Sequence, residues 1–340
     1  MLDKVRWAIL GPGGVAARVM EDAAAAVNFE VVAAASRDLP RARDFASSHQ
    51  IPRAYGSYRE LFADREIDAV YISVPNSLHH EVTIQALRAG KHVLAEKPYS
   101  RHPEQVDEAF EVAESAGLLL MEGLMWRHSA QTCRFVELLP QVGELRSIRS
   151  TFSFVMTAKQ DIRLQPALEG GAVMDLGCYV VSAARLAAGA EPIRVYSKHI
   201  GGPTGVDVQM SSMLTFPSGV VAQLQAGFGS TQRSLEAVGS AGTLTSYDPF
   251  LGKAGRLDLN GEPHAFEPLN AYRLEMENLS AAILGRGRPL LGRADAMGQA
   301  LTIDALFRSA ATDHAVSVEG RPLPDQSTPT GPAAAPGLTK

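Results

Sequence analysis

The stretch Val5-Arg6-Trp7-Ala8-Ile9-Leu10-Gly11-Pro12-Gly13-Gly14-Val15-Ala16 decides the fold. Its first six residues make an apolar run suited to a strand, the glycines supply a turn, and helix-compatible sequence follows over 15–27. The spacing is G-x-G-x-x-A. The first glycine permits a tight turn, the second lets backbone approach a pyrophosphate, and the small third residue lets helix pack on strand. A helix starting there points free N–H groups and the positive end of its dipole at the phosphates. Gly11, Gly13, Gly14 and Val15 are therefore the candidate cradle of a dinucleotide. A glycine turn that binds nothing has the same sequence, so a second mark is needed. It stands about twenty residues on, where the apolar run 31–35 ends in Ser36-Arg37, the place that meets the adenosine ribose. An NAD-binding unit usually carries Asp or Glu there. A serine hydroxyl can hydrogen-bond a 2′-phosphate and an arginine can pair with it or stack on adenine, which points to NADP with NAD still possible. Arg41, one turn further, either adds charge or is a solvated helix residue.

Working outward, 340 residues suffice for two domains with substantial cores. Hydrophobic residues at 46% and charged residues at 20% are ordinary globular values. The formal charge of -5 comes from 37 acidic against 32 basic residues without long runs of either sign, so no basic face for nucleic acid or anionic lipid is expected. Cys133 and Cys178 are too few for a disulfide framework or a thiolate metal site. A cytoplasmic setting is expected, with no signal peptide before the first strand and no apolar run of the roughly 18 residues a membrane helix needs.

Strands and helices alternate through residue 124. Segments 39–48 and 58–64 read as helical, 68–74 as a buried strand stopping at Pro75-Asn76, 78–89 as a helix closing on Gly90, 91–95 as a strand, 103–116 as a helix and 118–121 as the last strand. The expectation is an α/β Rossmann domain over 1–124, with a doubly wound parallel sheet whose ligand sits at the carboxyl ends of the strands. The pattern then changes. Segments 145–156, 193–200, 208–216 and 220–228 look strand-like, with Pro217-Ser218-Gly219 as a hairpin turn; 170–188, 272–284 and 294–311 look helical. Residues 125–320 are thus expected to form an α+β substrate and oligomerisation domain on a mainly antiparallel sheet. Residues 321–340, rich in proline and small residues, are expected to be a mobile tail.

The chemistry concentrates at Glu96-Lys97-Pro98, which falls at the carboxyl edge of the sheet where a nicotinamide would lie. Near a cationic cofactor and partly desolvated, the Lys97 amine could have a lowered pKa and take a proton from a hydroxyl. The alternative is a solvated surface ion pair. Asp175 and Tyr179, four apart on the segment 170–188, project from one face and can reach one site; a tyrosine can exchange hydrogen bonds with a sugar hydroxyl, and a carboxylate can hold two hydroxyls or orient a lysine. Gly170-Gly171 before them favours close backbone approach. Trp126-Arg127 and Arg163 are candidate cleft-lining residues, with ordinary packing the competing reading for the tryptophan. His79-His80-Glu81 lacks a third ligand at helical spacing, so no metal is expected and His79 is a solvated helix start or a cofactor contact.

Taken in order, Gly11-x-Gly13-x-x-Ala16, Ser36-Arg37, Pro75-Asn76-x-x-His79, Glu96-Lys97-Pro98 and Asp175-x-x-x-Tyr179 resemble the glucose-fructose oxidoreductase/inositol dehydrogenase (Gfo/Idh/MocA) family over nearly the whole chain to about residue 318. The resemblance implies an N-terminal Rossmann domain, a C-terminal domain with an open-faced sheet, and NAD(P)-linked oxidation of a sugar, polyol or diol. It implies catalytic roles for Lys97, Asp175 and Tyr179, cofactor contacts from Pro75, Asn76, His79 and Glu96, and a homodimer or homotetramer. Tyr179 departs from members with histidine there and turns the expectation from inositol towards the branch of NADP-dependent xylose dehydrogenases and trans-dihydrodiol dehydrogenases. The expected activity is oxidation of an aldose to a lactone, with ketosugar reduction, dihydrodiol oxidation and a non-catalytic NADP-binding sensor as alternatives.

Overall fold

The computed structural model describes residues 4–158, 160–252 and 255–318. The tail expected from residue 321 lies outside the described residues. The chain opens with β1 (Val5–Leu10), α1 (Gly14–Met20), β2 (Phe29–Ala35), α2 (Leu39–Ser48), β3 (Arg53–Tyr55), α3 (Tyr58–Phe62) and β4 (Ala69–Ile72). There follow α4 (His79–Arg88), β5 (His92–Glu96), α5 (Pro103–Ser115) and β6 (Leu120–Gly123). The six strands form one sheet in the order β3-β2-β1-β4-β5-β6, with every pairing parallel. The order reverses between β2-β1 and β4, which places the binding crevice of a doubly wound sheet above the carboxyl ends of β1 and β4. Strands β1, β4 and β5 are buried on both faces, which is why they read as continuous apolar runs rather than alternating ones.

After a 3-10 turn (Met125–His128) come α6 (Ala130–Leu138) and β7 (Leu145–Ser153). A strap with two short 3-10 turns (Ile162–Leu164 and Pro166–Leu168) leads to a π-helical turn (Val173–Gly177) and α7 (Cys178–Ala188). Then follow β8 (Arg194–Gly201), β9 (Asp207–Thr215), β10 (Val221–Gly227), β11 (Gln232–Gly239), β12 (Thr243–Tyr247), β13 (Arg256–Leu259), β14 (Glu262–Pro263), α8 (Ala271–Ile283), α9 (Arg293–Thr312) and β15 (Val316–Ser317). The second sheet has nine strands, ordered β14-β13-β12-β11-β7-β10-β9-β8-β15; β7 and β10 run parallel and the other neighbours antiparallel. The turn at residues 217–219 joins β9 to β10 as expected. Helices α7 and α9 cover one face of this sheet, and the opposite face presents Arg149, Tyr196, Lys198, Met213 and Gln223 across a shallow concavity.

Three local expectations change. The helix expected over 15–27 ends at Met20, and 170–188 is not one α-helix: Gly171 has φ +115° and a π turn precedes α7. The structure adds β3, α6, β11 to β14 and β15, for which the sequence pattern predicts no element. Among the described residues Pro166–Ala188 is long and apolar enough to cross a membrane, contrary to the sequence reading, but 83% of its apolar window is buried inside the protein, as in a core helix. The two halves also share packing. Helix α8 comes late in the chain yet lies against the first sheet, where the Trp7 indole N–H donates to Ser280 Oγ at 2.9 Å and Arg273 pairs with Asp22 at 2.8 Å.

Candidate active site

At the end of β1 the chain turns at Gly11 with φ +78°, and a Cβ there would sit 2.8 Å from the Ser73 carbonyl oxygen, so only glycine fits between the ends of β1 and β4. Ser73 Oγ donates to the carbonyls of Leu10 and Gly11, both at 3.0 Å, and fixes the turn. Gly13 is the N-cap of α1 and no side chain caps this helix. The first-turn amides are therefore available to an anion, and the residues present fit a dinucleotide phosphate. Arg41 is not simply solvated: its guanidinium donates twice to the Pro12 carbonyl, at 3.0 and 2.7 Å, and so lies on the glycine turn. Ser36 is buried at the end of β2 and its Oγ accepts from the Asp38 amide, while Arg37 is exposed beside it.

Beside the glycine turn, Val15, Pro75, Asn76, His79, Glu96, Lys97, Arg163, Gly170 and Asp175 line one cleft. Nine of the residues singled out in the sequence meet there. His79 is buried rather than solvated, with Nδ1 2.9 Å from the Pro98 carbonyl and Nε2 2.9 Å from the Val74 carbonyl; burial lowers its pKa. It ties the turn after β4 to the turn after β5. Asn76 donates to the Glu169 carbonyl at 2.8 Å, and the Glu169 carboxylate accepts from Arg101 and faces His102, each at 3.2 Å, so the strap is tied down on the first domain.

Lys97 is not a solvated surface residue. Its Nζ donates to the Asp175 backbone carbonyl at 2.7 Å and to Asp175 Oδ1 at 3.1 Å, and lies 4.8 Å from the centroid of the Tyr179 ring. The other Asp175 oxygen, Oδ2, accepts from Arg163 Nε at 2.7 Å, and Arg163 in turn pairs with Asp161 at 3.1 Å. Burial disfavours the Asp175 anion, but Lys97 and Arg163 override it and hold the carboxyl below its usual range. Burial likewise lowers Lys97, and the Asp175 field overrides it, leaving the amine above its usual pKa. This corrects the expectation of a lowered amine: the sequence reading weighed desolvation and a cofactor charge, but not a carboxylate in direct contact.

Tyr179 is buried beneath the ammonium with its ring on Phe152 and Phe250, and burial raises its pKa well above the usual value. Glu96 is buried, accepts from the Tyr71 hydroxyl, and is pushed up by burial. Trp126 and Arg127 correct the expectation of cleft-lining side chains. Trp126 has no exposed surface and meets Phe250 edge-on, because the turn after β6 carries it under the cleft into the core. Arg127 points to Asp295 at 3.2 Å. Of the residues sequence reasoning missed, Ser73 stands just before Pro75-Asn76 and was signalled by its place at a strand end. Tyr71 is a polar tip in an apolar strand on the same face as Glu96. Ile162 and Leu168 carried no such mark, since only the course of the strap brings them to the cleft. Gly170 allows that course: a Cβ there would lie 2.3 Å from the Arg163 carbonyl oxygen. Among the described residues no cluster of His, Cys, Asp and Glu could hold a metal ion.

Residues 5–124 match the family described as "Oxidoreductase family, NAD-binding Rossmann fold", and residues 140–245 match the "GFO/IDH/MocA C-terminal domain". The chain is 36% identical over 324 residues to D-xylose 1-dehydrogenase (NADP(+)) 2 of Haloferax volcanii, covering 92% of this chain and 99% of the relative. It is 32% identical to trans-1,2-dihydrobenzene-1,2-diol dehydrogenase of Xenopus tropicalis, over 72% of this chain and 77% of that one. Among solved structures it superposes on the 3-ketoreductase KijD10 of Actinomadura kijaniata, in complex with NADP and TDP-benzene, with TM-score 0.83 and 31% identity over 90% of this chain and 98% of that one.

Proposed function

The chain belongs to the Gfo/Idh/MocA oxidoreductase family, and from that membership we propose that it is an NADP-dependent dehydrogenase of a cyclic sugar, an aldose such as xylose oxidised at its anomeric carbon to a lactone. The observation that carries the reading is the Lys97 ammonium, held by Asp175 at the mouth of a cleft that runs on to the glycine turn. Similarity to the Haloferax D-xylose dehydrogenase supports the substrate class. Gly11, Gly13, Gly14 and Val15 would receive the pyrophosphate, Ser36, Arg37 and Arg41 the 2′-phosphate side, and Pro75, Asn76, His79 and Glu96 the nicotinamide end. The bound nicotinamide supplies the hydride acceptor or donor.

The protein's own part is proton handling and positioning. Two of the three Lys97 N–H groups are taken by Asp175, so the remaining one is available to a substrate oxygen in the cleft. In the oxidation the neutral Lys97 amine would take the hydroxyl proton as hydride leaves the same carbon, and in the reverse direction the ammonium would return it; Asp175 would orient Lys97, Tyr179 would support it from beneath, and Arg163 would close the substrate side. The charged resting state of Lys97 favours a second reading, the reverse reaction: a cation is ready to donate a proton to a ketosugar carbonyl. A panel of aldoses, ketosugars and trans-diols, followed in both directions at the absorbance of NADPH, separates these. Turnover of D-xylose with NADP is the expected result. Tight NADPH binding without turnover across the panel would overturn it in favour of a non-catalytic binding protein. The exposed Ile200 and Met213 on the open face of the nine-stranded sheet support a homodimer or homotetramer, to be weighed by light scattering. Free Cys133 and Cys178 suit a reducing cytoplasm.

A further inference from the structure

We propose that Arg163 is the positioning residue that keeps Lys97 able to give up its proton, by taking the second oxygen of Asp175 for itself. The inference rests on the reading of Lys97 as the proton-handling group. Lys97, Asp175, Arg163 and Asp161 form a row of alternating charge: Lys97 Nζ on Oδ1 of Asp175 at 3.1 Å, Arg163 Nε on Oδ2 at 2.7 Å, and Arg163 on Asp161 at 3.1 Å. A lysine facing a carboxylate of its own holds its proton tightly, and that is a poor base. A second cation on the same carboxylate divides its field and adds a like charge near the ammonium, which opposes both effects.

The groups facing Lys97 come from five elements. Glu96 precedes it at the end of β5, Asp175 and Cys178 flank it from the π turn and the start of α7, Tyr179 lies beneath it, and His79 of α4 and Tyr272 of α8 feel its charge. Burial holds Cys178 at about 12 and Tyr272 at about 12, and lowers His79, so these are uncharged near neutrality. Burial also pushes Glu96 towards its neutral acid. Asp175 is the carboxylate in contact with the ammonium, and Arg163 is the cation that shares it. The backbone is shaped to hold Arg163 there. The Asp161 carboxylate accepts from the Arg163 amide at 2.9 Å, the Gly171 amide donates to the Arg163 carbonyl at 2.8 Å, and Gly170 leaves the space that this return requires.

The test reads the amine directly and needs no substrate. Native protein is treated with trace acetic anhydride at about pH 9, and acetylation of Lys97 is compared with that of exposed Lys4 by mass spectrometry; below the pKa the rate follows the neutral fraction, so one unit is about tenfold. Arg163→Gln is expected to slow Lys97 acetylation about tenfold, with NADPH fluorescence titration showing the fold kept, and Arg163→Lys to restore the rate to within about twofold. If Arg163 merely ties down the strap, its loss exposes Lys97 and the rate stays level or rises; either result overturns the proposal. Should Arg163→Gln lose NADPH binding, Asp161→Asn takes its place. It leaves Arg163 wholly to Asp175 and is expected to raise Lys97 acetylation, and no change or a fall overturns the proposal. Failure of the sugar panel with the acetylation pattern intact would remove the substrate reading alone.

Discussion

Lys97, Asp175 and Arg163 lie partly buried with their charges matched, while Glu122 on β6, His128 in the turn after it and Glu275 on α8 lie deeper without such matching. In the first group each ionised atom has an opposite partner at 2.7 to 3.1 Å. In the second, His128 and Glu275 come only to 3.9 Å, both Glu275 oxygens lack a hydrogen bond, and so does Glu122 Oε2. The protonation states diverge accordingly. Burial takes Glu122 up to about 7 and Glu275 well above its usual range, and burial, with Arg127 adding to it, takes His128 down to about 4. The partly buried set is thus kept charged and the deeper set pushed towards its neutral forms, and both the depth and the count of opposite charges within reach separate them. Only the charged set borders the cleft.

The sharpest way to break this comparison is to remove one member of each set. Lys97→Ala is expected to lower kcat by on the order of 10²- to 10⁴-fold, with NADPH affinity kept, since positioned proton transfer contributes about that much. Glu275→Gln preserves shape and removes only a proton site, so kcat is expected to stay within about threefold. Steady-state kinetics on the substrate found by the panel measures both. Equal losses in the two variants would mean that Glu275 belongs to the machinery and that the division is false.

How far this site could be read from sequence follows from the same physics. The glycine turn, Ser36-Arg37 and Glu96-Lys97-Pro98 are local: each follows an apolar run, and the rule placing ligands at the carboxyl ends of parallel strands fixes their position. In the structure the segments that follow β1, β4 and β5 line the cleft together. Asp175 was legible as a cleft residue, but its grip on both Lys97 and Arg163 was not, because three separate segments make it. Trp126 failed for a related reason. Its neighbours in sequence say it follows a strand at the binding edge, and only the packing of Phe250 and α8 decides that it points inward. In the second domain, β12, β13 and β14 span only five, four and two residues, and β11 has just Leu235, Ala237 and Val238 as apolar residues, so their period-two signal is weak, and pairing with neighbours defines them.

A stability measurement sharpens the neutral half of the comparison. With Glu122 at about 7 in the folded protein and the usual 4.5 when unfolded, the folded state holds more protons between those values. Stability contributed by the protonated acid is therefore full below about pH 4.5 and lost as pH rises to about 7, in all about 3 kcal/mol at about 1.4 kcal/mol per unit. Glu122→Gln keeps an oxygen to accept from the Tyr99 amide, now at 2.8 Å from Oε1, and cannot ionise. Urea unfolding at about pH 5 and pH 8 is expected to show a fall in the wild type that exceeds the variant's by about 2 to 3 kcal/mol, since pH 5 already lies above the unfolded value. The same fall in both proteins would show that Glu122 is not held neutral.

The smallest effect is expected where charge meets water. Arg37 is exposed and makes no hydrogen bond or ion pair among the described residues; Arg41, also exposed, is held to the Pro12 carbonyl. An exposed charge is screened and needs no partner to remain ionised, so Arg37 is available to a 2′-phosphate without first breaking another contact. A charge-assisted contact of this kind is worth about 1.5 kcal/mol at an exposed site, the lower end of its range, which is roughly tenfold in Kd. Arg37→Ala is therefore expected to weaken NADPH about tenfold and leave NADH unchanged, because NADH has no phosphate for it to meet. Arg41→Ala is expected to weaken both, since its guanidinium lies on the turn that takes the pyrophosphate common to the two. Fluorescence titrations of the two variants with the two cofactors give four affinities to set against wild type. Equal weakening of NADPH and NADH by Arg37→Ala, or a wild type that binds NADH as well as NADPH, would show that Ser36-Arg37 does not select the phosphate.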